Sequence, residues 1–586
     1  MLETFSESAP WVALIIGYGV FAHGIIFFDD GLYWDGWVVD VWQQNRDKSS
    51  MRRFYSEVGM PNLYYEHWLL GCIPRRLLAY RVVSFASLQL IAVFIFLIAV
   101  HSNSLSPPQA TVVSLLALSY PAYAVTMDSV ASLQYTFKIA LFYVGCFLAM
   151  ATIANHDAAG FLLFAMALVL FYVSFNANSL LVYFWGFMLF YAWLAFPTLS
   201  RQFEIYEYAK IGLLTGLPFL FWFIKERRSP RHGYYETYNR IRLSPLDAFR
   251  IGLQAFRFGI DLPILKPIRE STKYKNGVLF FFLASIAIGT LLFEYSNSQL
   301  TVPILGAFLV LGIGYGLALL AAAPFVVISQ PFSEGGWNSK NFMLFHLPFA
   351  LIVFGWLQAT PNSFGLILIP LILLANAFYI VRIHLLYIAI SVKDKALIRW
   401  MAANPQLRKA SVIKIKDFHW IEYPYEHKAD AFRPAYVSCM VKGIWPDSRI
   451  LALLDNWDGS SGRPLTPAEI EQALEETTIR YTFAPEVQPG PQYVVSVAAG
   501  RRGLDTTLVG GQFSNQRKAV NAATALAMTK LALKYLYFRR VSSSRLGTLY
   551  DQYFSFSASE LEFPSSDAPV VVGGSLGNPA DSAAKE

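Results

Sequence analysis

Residues 11–37 read WVALIIGYGVFAHGIIFFDDGLYWDGW. From Trp11 to Phe28 no Asp, Glu, Lys or Arg interrupts the apolar run, and an acidic pair, Asp29-Asp30, closes it. A run of about 18–20 such residues matches the hydrocarbon thickness of a bilayer. The segment before it carries Glu3 and Glu7 and no basic residue, the reverse of a leader's basic start. Phe27-Phe28-Asp29-Asp30 also lacks the small residues of a cleavage site. The run is therefore read as a first membrane helix.

The rest of the chain repeats this pattern. Further apolar runs occupy about 79–100, 109–127, 133–154, 158–175, 179–198, 207–224, 277–295, 302–329, 342–359 and 363–391. Together they predict an all-α polytopic membrane domain of about eleven transmembrane helices, with a re-entrant piece as the alternative within 109–154. Only 15% of the 586 residues are charged, against about 25% in soluble domains. Three polar segments, 29–78, 225–276 and the tail from 393, fall on one face if eleven crossings alternate. The opposite face keeps short connections such as 101–108, 155–157 and 360–362. Polar chemistry gathered on one face suits an enzyme better than a pore, and no inverted hydropathy repeat points to a transporter.

After residue 393 the pattern becomes that of a small soluble α+β domain spanning 393–545. Ala410–Lys416, Tyr436–Val441, Ile450–Leu454 and Tyr493–Ala498 read as strands. Thr466–Glu476 reads as a helix capped by Thr466 with Pro467 at its first position. Residues 518–538, broken by Asn521, Lys530 and Lys534, read as an amphipathic helix and not a twelfth span. The tail 546–586 is expected to be largely disordered, being dominated by Ser, Gly, Pro and Asp from about 555. Cys72, Cys146 and Cys439 form neither a disulfide framework nor a zinc spacing. The net charge of +7 lies between membrane spans without a recognition module, which argues against nucleic acid and for membrane lipids.

Chemistry concentrates at the outlet of the first span. A carboxylate there is poorly solvated, and its pKa rises toward values useful to a general base. Tyr33, Trp34 and Asp35 follow directly, and aromatic rings stack on the apolar face of a sugar. A helix end with an interfacial aromatic belt is the alternative. Glu66, within Tyr64-Tyr65-Glu66-His67-Trp68, is a second acidic candidate or part of a surface helix. Asp128 and Lys138 lie beside or inside apolar spans, where charge is costly and by default functional; an ion pair closing a helix contact is the other reading. Tyr234 lies in the aromatic stretch Gly233–Asn239, a candidate lining.

The succession of these features resembles the C-class (GT-C) glycosyltransferases, membrane enzymes using polyprenyl-phosphate-linked sugars, of the protein O-mannosyltransferase and aminoarabinose transferase type. Asp29-Asp30 stand where that family places its acidic motif. Gly59-Met60-Pro61-Asn62-Leu63 through Leu78-Ala79-Tyr80-Arg81 is similar to its approach to the second span. Tyr120-Pro121-Ala122-Tyr123 with Asp128–Ser132, and then Ser174–Asn178, resemble its later segments. Met60 stands where the family usually has Arg, and Asn176-Ala177 where it has Lys-Glu. The resemblance spans roughly residues 10–200 and implies an inverting transfer from a polyprenyl-phosphate-linked sugar donor. The acceptor would be an envelope glycan, lipopolysaccharide or surface protein such as a pilin. Asp29 or Asp30 would be the catalytic base. Arg75, Arg76, Arg81 and Arg228 are the candidates for the donor phosphate, which a planar guanidinium fits well. Lys340, in Asn338-Ser339-Lys340-Asn341, stands where the family carries an Arg-containing segment. Some members use a divalent cation; no cofactor and no metal ligands are expected here.

The resemblance implies a bacterial inner membrane protein with its catalytic face and terminal domain in the periplasm. Charge disagrees: Arg46, Lys48, Arg52, Arg53, Arg75 and Arg76 crowd loop 29–78, and the positive-inside rule would keep that loop cytoplasmic. A transporter or flippase for a lipid-linked glycan is the rival function.

Overall fold

The structure is a computed structural model that describes residues 2–33, 35–121, 126, 128–153, 155, 157–201, 205–229, 241, 244–272, 286, 304–330, 332, 337–359, 362–417, 434–455, 462–481, 486–501 and 514–562. Helix α1 (Leu2–His23) continues through a 3-10 turn, Gly24–Phe28. Then come α2 (Asp35–Gln44), α3 (Lys48–Glu57), α4 (Pro61–Gly71), α5 (Arg76–His101), α6 (Pro107–Leu118), α7 (Leu133–Ala151), α8 (Ala158–Ser174), α9 (Ser179–Arg201) and α10 (Ile205–Arg228). After α11 (Pro245–Phe256) and α12 (Leu262–Thr272), the bundle closes with α13 (Ile304–Val327), α14 (His346–Ala359) and α15 (Asn362–Ala402).

Among the described residues, eight helices are long and apolar enough to cross a membrane, and α6 and α8 are shorter apolar helices. The chain is thus a helical multi-pass membrane protein. The expected eleven crossings correspond to eight full-length helices and these two short ones, while the run at 277–295 lies, except for Ile286, outside the described residues. Helix α6 has 12 residues and rises only about 18 Å, short of the bilayer's apolar core. From Pro108 to Leu118 every residue is buried. Beyond it the chain reaches the polar segments: Tyr120 donates to the Gly259 carbonyl at 3.0 Å. Irregular backbone at such depth is tolerated where protein surrounds it.

Close helix contacts rest on glycine. At Gly19 the Gln89 amide of α5 fills the place of a side chain, its Nε2 lying 1.9 Å from where a Cβ would be. Gly314 and Gly355 likewise bring α13 against α14, since a Cβ would come within 2.8 Å of Ile352 and 2.7 Å of Leu311. Small residues permit such approach in lipid, where no hydrophobic drive joins helices.

The segment 29–78 folds as α2, α3 and α4. Asp47 caps α3 by accepting from the Ser50 amide at 3.0 Å, and Pro61 opens α4. In the second polar segment, α11 and α12 join through a π turn, Arg257–Asp261. Arg382 of α15 ties α12 by a 2.5 Å bond to Glu270.

Helix α15 runs 41 residues, about 60 Å, from the bundle into the terminal domain. That domain holds β1 (Val412–Asp417), α16 (Pro434–Ile444), β2 (Leu451–Leu454), α17 (Pro467–Tyr481), β3 (Gln492–Ala499), α18 (Ser514–Val541), α19 (Leu546–Tyr553) and β4 (Phe554–Leu561). The sheet order is β2-β1-β3-β4, with β1 parallel to both neighbours and β4 antiparallel to β3. One sheet face packs Ile413, Ile415 and Val495 on Leu397 and Met401 of α15 and on Val437 and Val441 of α16. The other covers Val412, Leu451 and Leu453 with Leu465 and Ala473.

Two expectations are corrected here. Tyr436–Val441 is helical and not a strand: Pro434 starts the helix, and Val437 through Val441 are all buried. A short apolar run buried all round carries no period that separates strand from helix. Residues 546–561, expected to be disordered, fold as α19 and β4, and 563–586 lie outside the described residues. Phe554 and Phe556 in β4 pair with Ala499 and Val497 in β3.

Candidate functional site

The acidic pair lies where the 3-10 turn ends, and its two carboxylates go separate ways. Asp29 turns inward and is 1% exposed. Its Oδ1 accepts from the Gly31 amide at 2.8 Å, and the Tyr33 hydroxyl donates to it at 3.2 Å. Arg81 Nη2 stands 3.9 Å from Asp29 Oδ2 while donating to the Gly31 carbonyl at 2.9 Å. Gly31 has no room for a side chain, since a Cβ would fall 2.4 Å from the Tyr33 hydroxyl and 2.5 Å from Ser391.

Asp30 points toward the terminal domain. It pairs with Lys395, accepts from the Tyr535 hydroxyl at 2.8 Å and lies 3.4 Å from Arg539 Nη1. Burial opposes ionisation of Asp30, but the Lys395 ammonium, with Arg539 and Tyr535, outweighs it and holds the carboxyl below its usual range. None of these three partners was singled out from sequence. Lys393-Asp394-Lys395, a charge run directly after an apolar span, was the available signal for the first. Tyr535 and Arg539 carried no signal, being 505 and 509 positions downstream of their partner.

A second cluster forms beneath α2, α3 and α4. Asp128 is buried and accepts from the Ala131 amide at 3.0 Å. It packs under Gly36, where a Cβ would lie 2.7 Å from its Oδ1. Burial, with the Asp35 carboxylate close by, pushes Asp128 up to about 8, so it carries a proton at neutral pH. Glu66 pairs with Lys138. The expected alternative of an ion pair involving Lys138 is thus realised with Glu66 and not with Asp128. His67 bonds the Tyr80 hydroxyl at 2.7 Å and stacks on Tyr55. Burial, with the Lys138 charge nearby, lowers His67 to about 3.

The predicted phosphate ligands are dispersed. Arg81 joins Asp29, whereas Arg76 is bound to Asp40 at 2.7 Å. Arg75 is exposed with a left-handed backbone, φ 59°, ahead of α5. Arg228 is exposed at the end of α10. Lys340 is half-buried, 5.6 Å from the Tyr135 ring centre. Trp34 and Tyr234 lie outside the described residues. Lys225 contacts Asn178 at 2.5 Å, joining the segment after α8 to the end of α10. Among the described residues, no three His, Cys, Asp or Glu side chains are grouped to hold a metal ion.

Comparison with protein-family models, curated proteins and solved structures found no match. The functional reading therefore rests on residue chemistry and on the geometry above. What the arrangement can do is specific: an inward carboxylate oriented by an amide and a phenol, a guanidinium behind it, and a proton-carrying acid one helix away. Buried ionisable groups held together by such contacts make this end of the bundle the candidate site.

Proposed function

We propose that this chain is an inverting membrane glycosyltransferase that moves a sugar from a polyprenyl-phosphate donor to a cell-envelope glycan, lipopolysaccharide or surface protein. One observation carries the reading. Asp29 with Arg81, Asp30 with Lys395 and Glu66 with Lys138 bring acids and cations from the first polar segment, α5, α7 and α15 to the end of the bundle where the first span meets the terminal domain, while a further buried pair, Glu207–Lys210, ties the opposite end of α7. Asp29 is the base in this scheme, because Asp30 is already committed to Lys395 and Arg539. The acceptor hydroxyl gives its proton to Asp29 as its oxygen bonds the anomeric carbon. The bond from that carbon to the phosphate oxygen breaks, and the electron pair leaves with the phosphate, which cations stabilise. Asp29 is covered by the Gly31 amide and the Tyr33 hydroxyl, so the scheme requires that turn to open for substrate.

Asp29→Asn is expected to lower transfer by about 10²–10⁴-fold with normal membrane insertion, read by mass analysis of envelope glycans and surface proteins. Full transfer in that variant would overturn the assignment of the base. The proposed setting is the bacterial inner membrane with the site facing the periplasm. A reporter fused after Lys409 tests this: alkaline phosphatase activity supports it, and a fluorescent signal confined to the cytoplasm opposes it.

A flippase for a lipid-linked glycan is the second reading, favoured by a buried polar seam between α1, α6 and α15. Tyr18 donates to the Leu373 carbonyl at 2.8 Å, Asn376 reaches Ser119 at 3.4 Å, and the His23 and His384 rings meet 6.4 Å apart. Polar groups at such depth also line conduction paths. Movement of lipid-linked glycan across liposomes with no new glycosidic bond would favour this reading.

A further inference from the structure

Helix α18 belongs by connectivity to the terminal domain, yet its outward face does not suit water. Its inner face, Met528, Leu531, Ala532 and Tyr535, is buried. Leu526, Lys530, Leu533, Tyr537, Arg540 and Val541 fall within a roughly 100° arc on the other side. Leu533 is 53% exposed, Tyr537 59% and Val541 64%. No Asp or Glu occurs anywhere from Ser514 to Val541, while Lys530, Lys534, Arg539 and Arg540 do. A soluble helix normally mixes both charge signs on its wet face.

The position of this face is set by contacts at the helix end. Arg539 Nη1 donates to the Phe28 carbonyl at 3.0 Å, and the Arg540 guanidinium lies 4.4 Å from the centre of the Phe28 ring. Phe28 ends the first membrane span and, with Phe27, is itself exposed. The apolar stripe of α18 therefore continues the lipid-facing surface of that span at the level where hydrocarbon gives way to head groups.

We propose that the C-terminal half of α18 lies in the bilayer interface, with Leu533, Tyr537 and Val541 among the upper acyl chains and Lys530 and Arg540 on anionic phospholipid head groups. An apolar face flanked by basic residues without acids binds such surfaces through area and charge together. This surface is independent of the transferase reading, since it concerns lipid contact and not chemistry at Asp29.

The test uses the full chain in lipid nanodiscs, with Cys72→Ser removing the exposed thiol and a spin label on Tyr537→Cys, Val541→Cys or, as a solvated reference, Arg449→Cys. The expected result is preferential collision with oxygen at Tyr537 and Val541 and with a water-soluble nickel chelate at Arg449. Adding phosphatidylglycerol to phosphatidylcholine should widen that contrast. Nickel-dominated collision at both α18 positions would overturn the proposal. Shielding from both reagents would overturn it in favour of a protein partner, and indifference to phosphatidylglycerol would overturn the anionic preference. Two labelled positions guard against a local effect of either substitution.

Discussion

Lys138 and Lys395 each neutralise an acid from the segment that follows the first span, but in opposite surroundings. Lys138 on α7 is fully enclosed and answers Glu66 of α4, itself about one-fifth exposed; Lys395 answers Asp30 at the seam between α15 and α18, where both side chains are about one-quarter exposed. In the interior a charge without its partner has no water to turn to, so the pair holds the fold. At the seam water substitutes for either partner, so the pair sets how the terminal domain rests on the bundle at modest cost. The same two residue types thus form a structural tie in one place and an adjustable contact in the other.

The largest effect expected from this contrast is Glu66→Gln, which leaves Lys138 buried and unpaired and should destabilise by about 3–5 kcal/mol. Thermal unfolding of the purified protein measures it, and adding Lys138→Met should restore most of the loss. Equal loss in the double variant would show that packing, and not charge, governs that corner.

Next in size is a pH effect at Asp128, whose folded pKa of about 8 lies above its ordinary 3.8. A raised carboxyl contributes its full stability below the unfolded value and loses it as pH rises through the folded value. Wild type should therefore lose stability relative to Asp128→Asn between about pH 4 and 8, by on the order of a few kcal/mol. Parallel melting curves at pH 5 and pH 8 would remove Asp128 from the list of protonated groups.

Asp30→Asn should have the smallest effect on unfolding, about 1 kcal/mol or less after solvent screening, yet it should loosen the domain seam. Faster hydrogen exchange in 526–541 with little change in melting temperature is the expected signature. A loss as large as that of Glu66→Gln would erase the distinction between the two lysines.

The corrected elements show where one-dimensional reading stops. Apolar length is a local property, so the long spans followed from the hydropathy of each segment alone. Thr466 with Pro467 was legible too, because a cap and a first-turn proline act locally; the structure adds Glu469, whose carboxylate accepts from the Thr466 amide at 2.8 Å. Val437–Val441 was not, since burial on every side hides the period that separates helix from strand. Phe554–Leu561 was misread because a polar edge strand owes its order to β3, and nothing within 554–561 announces that partner.

At the site the same division holds. The residues themselves singled out Asp29, Asp30, Glu66, Asp128 and Lys138, because charge beside apolar spans is costly enough to need a reason. Which acid meets which cation was settled by the folded chain alone. Lys395, Tyr535 and Arg539 approach Asp30 across hundreds of residues, and Lys138 takes Glu66 in preference to Asp128. Hydropathy acts between a residue and its solvent and is written in every segment, whereas pairing acts between segments and exists only after they meet.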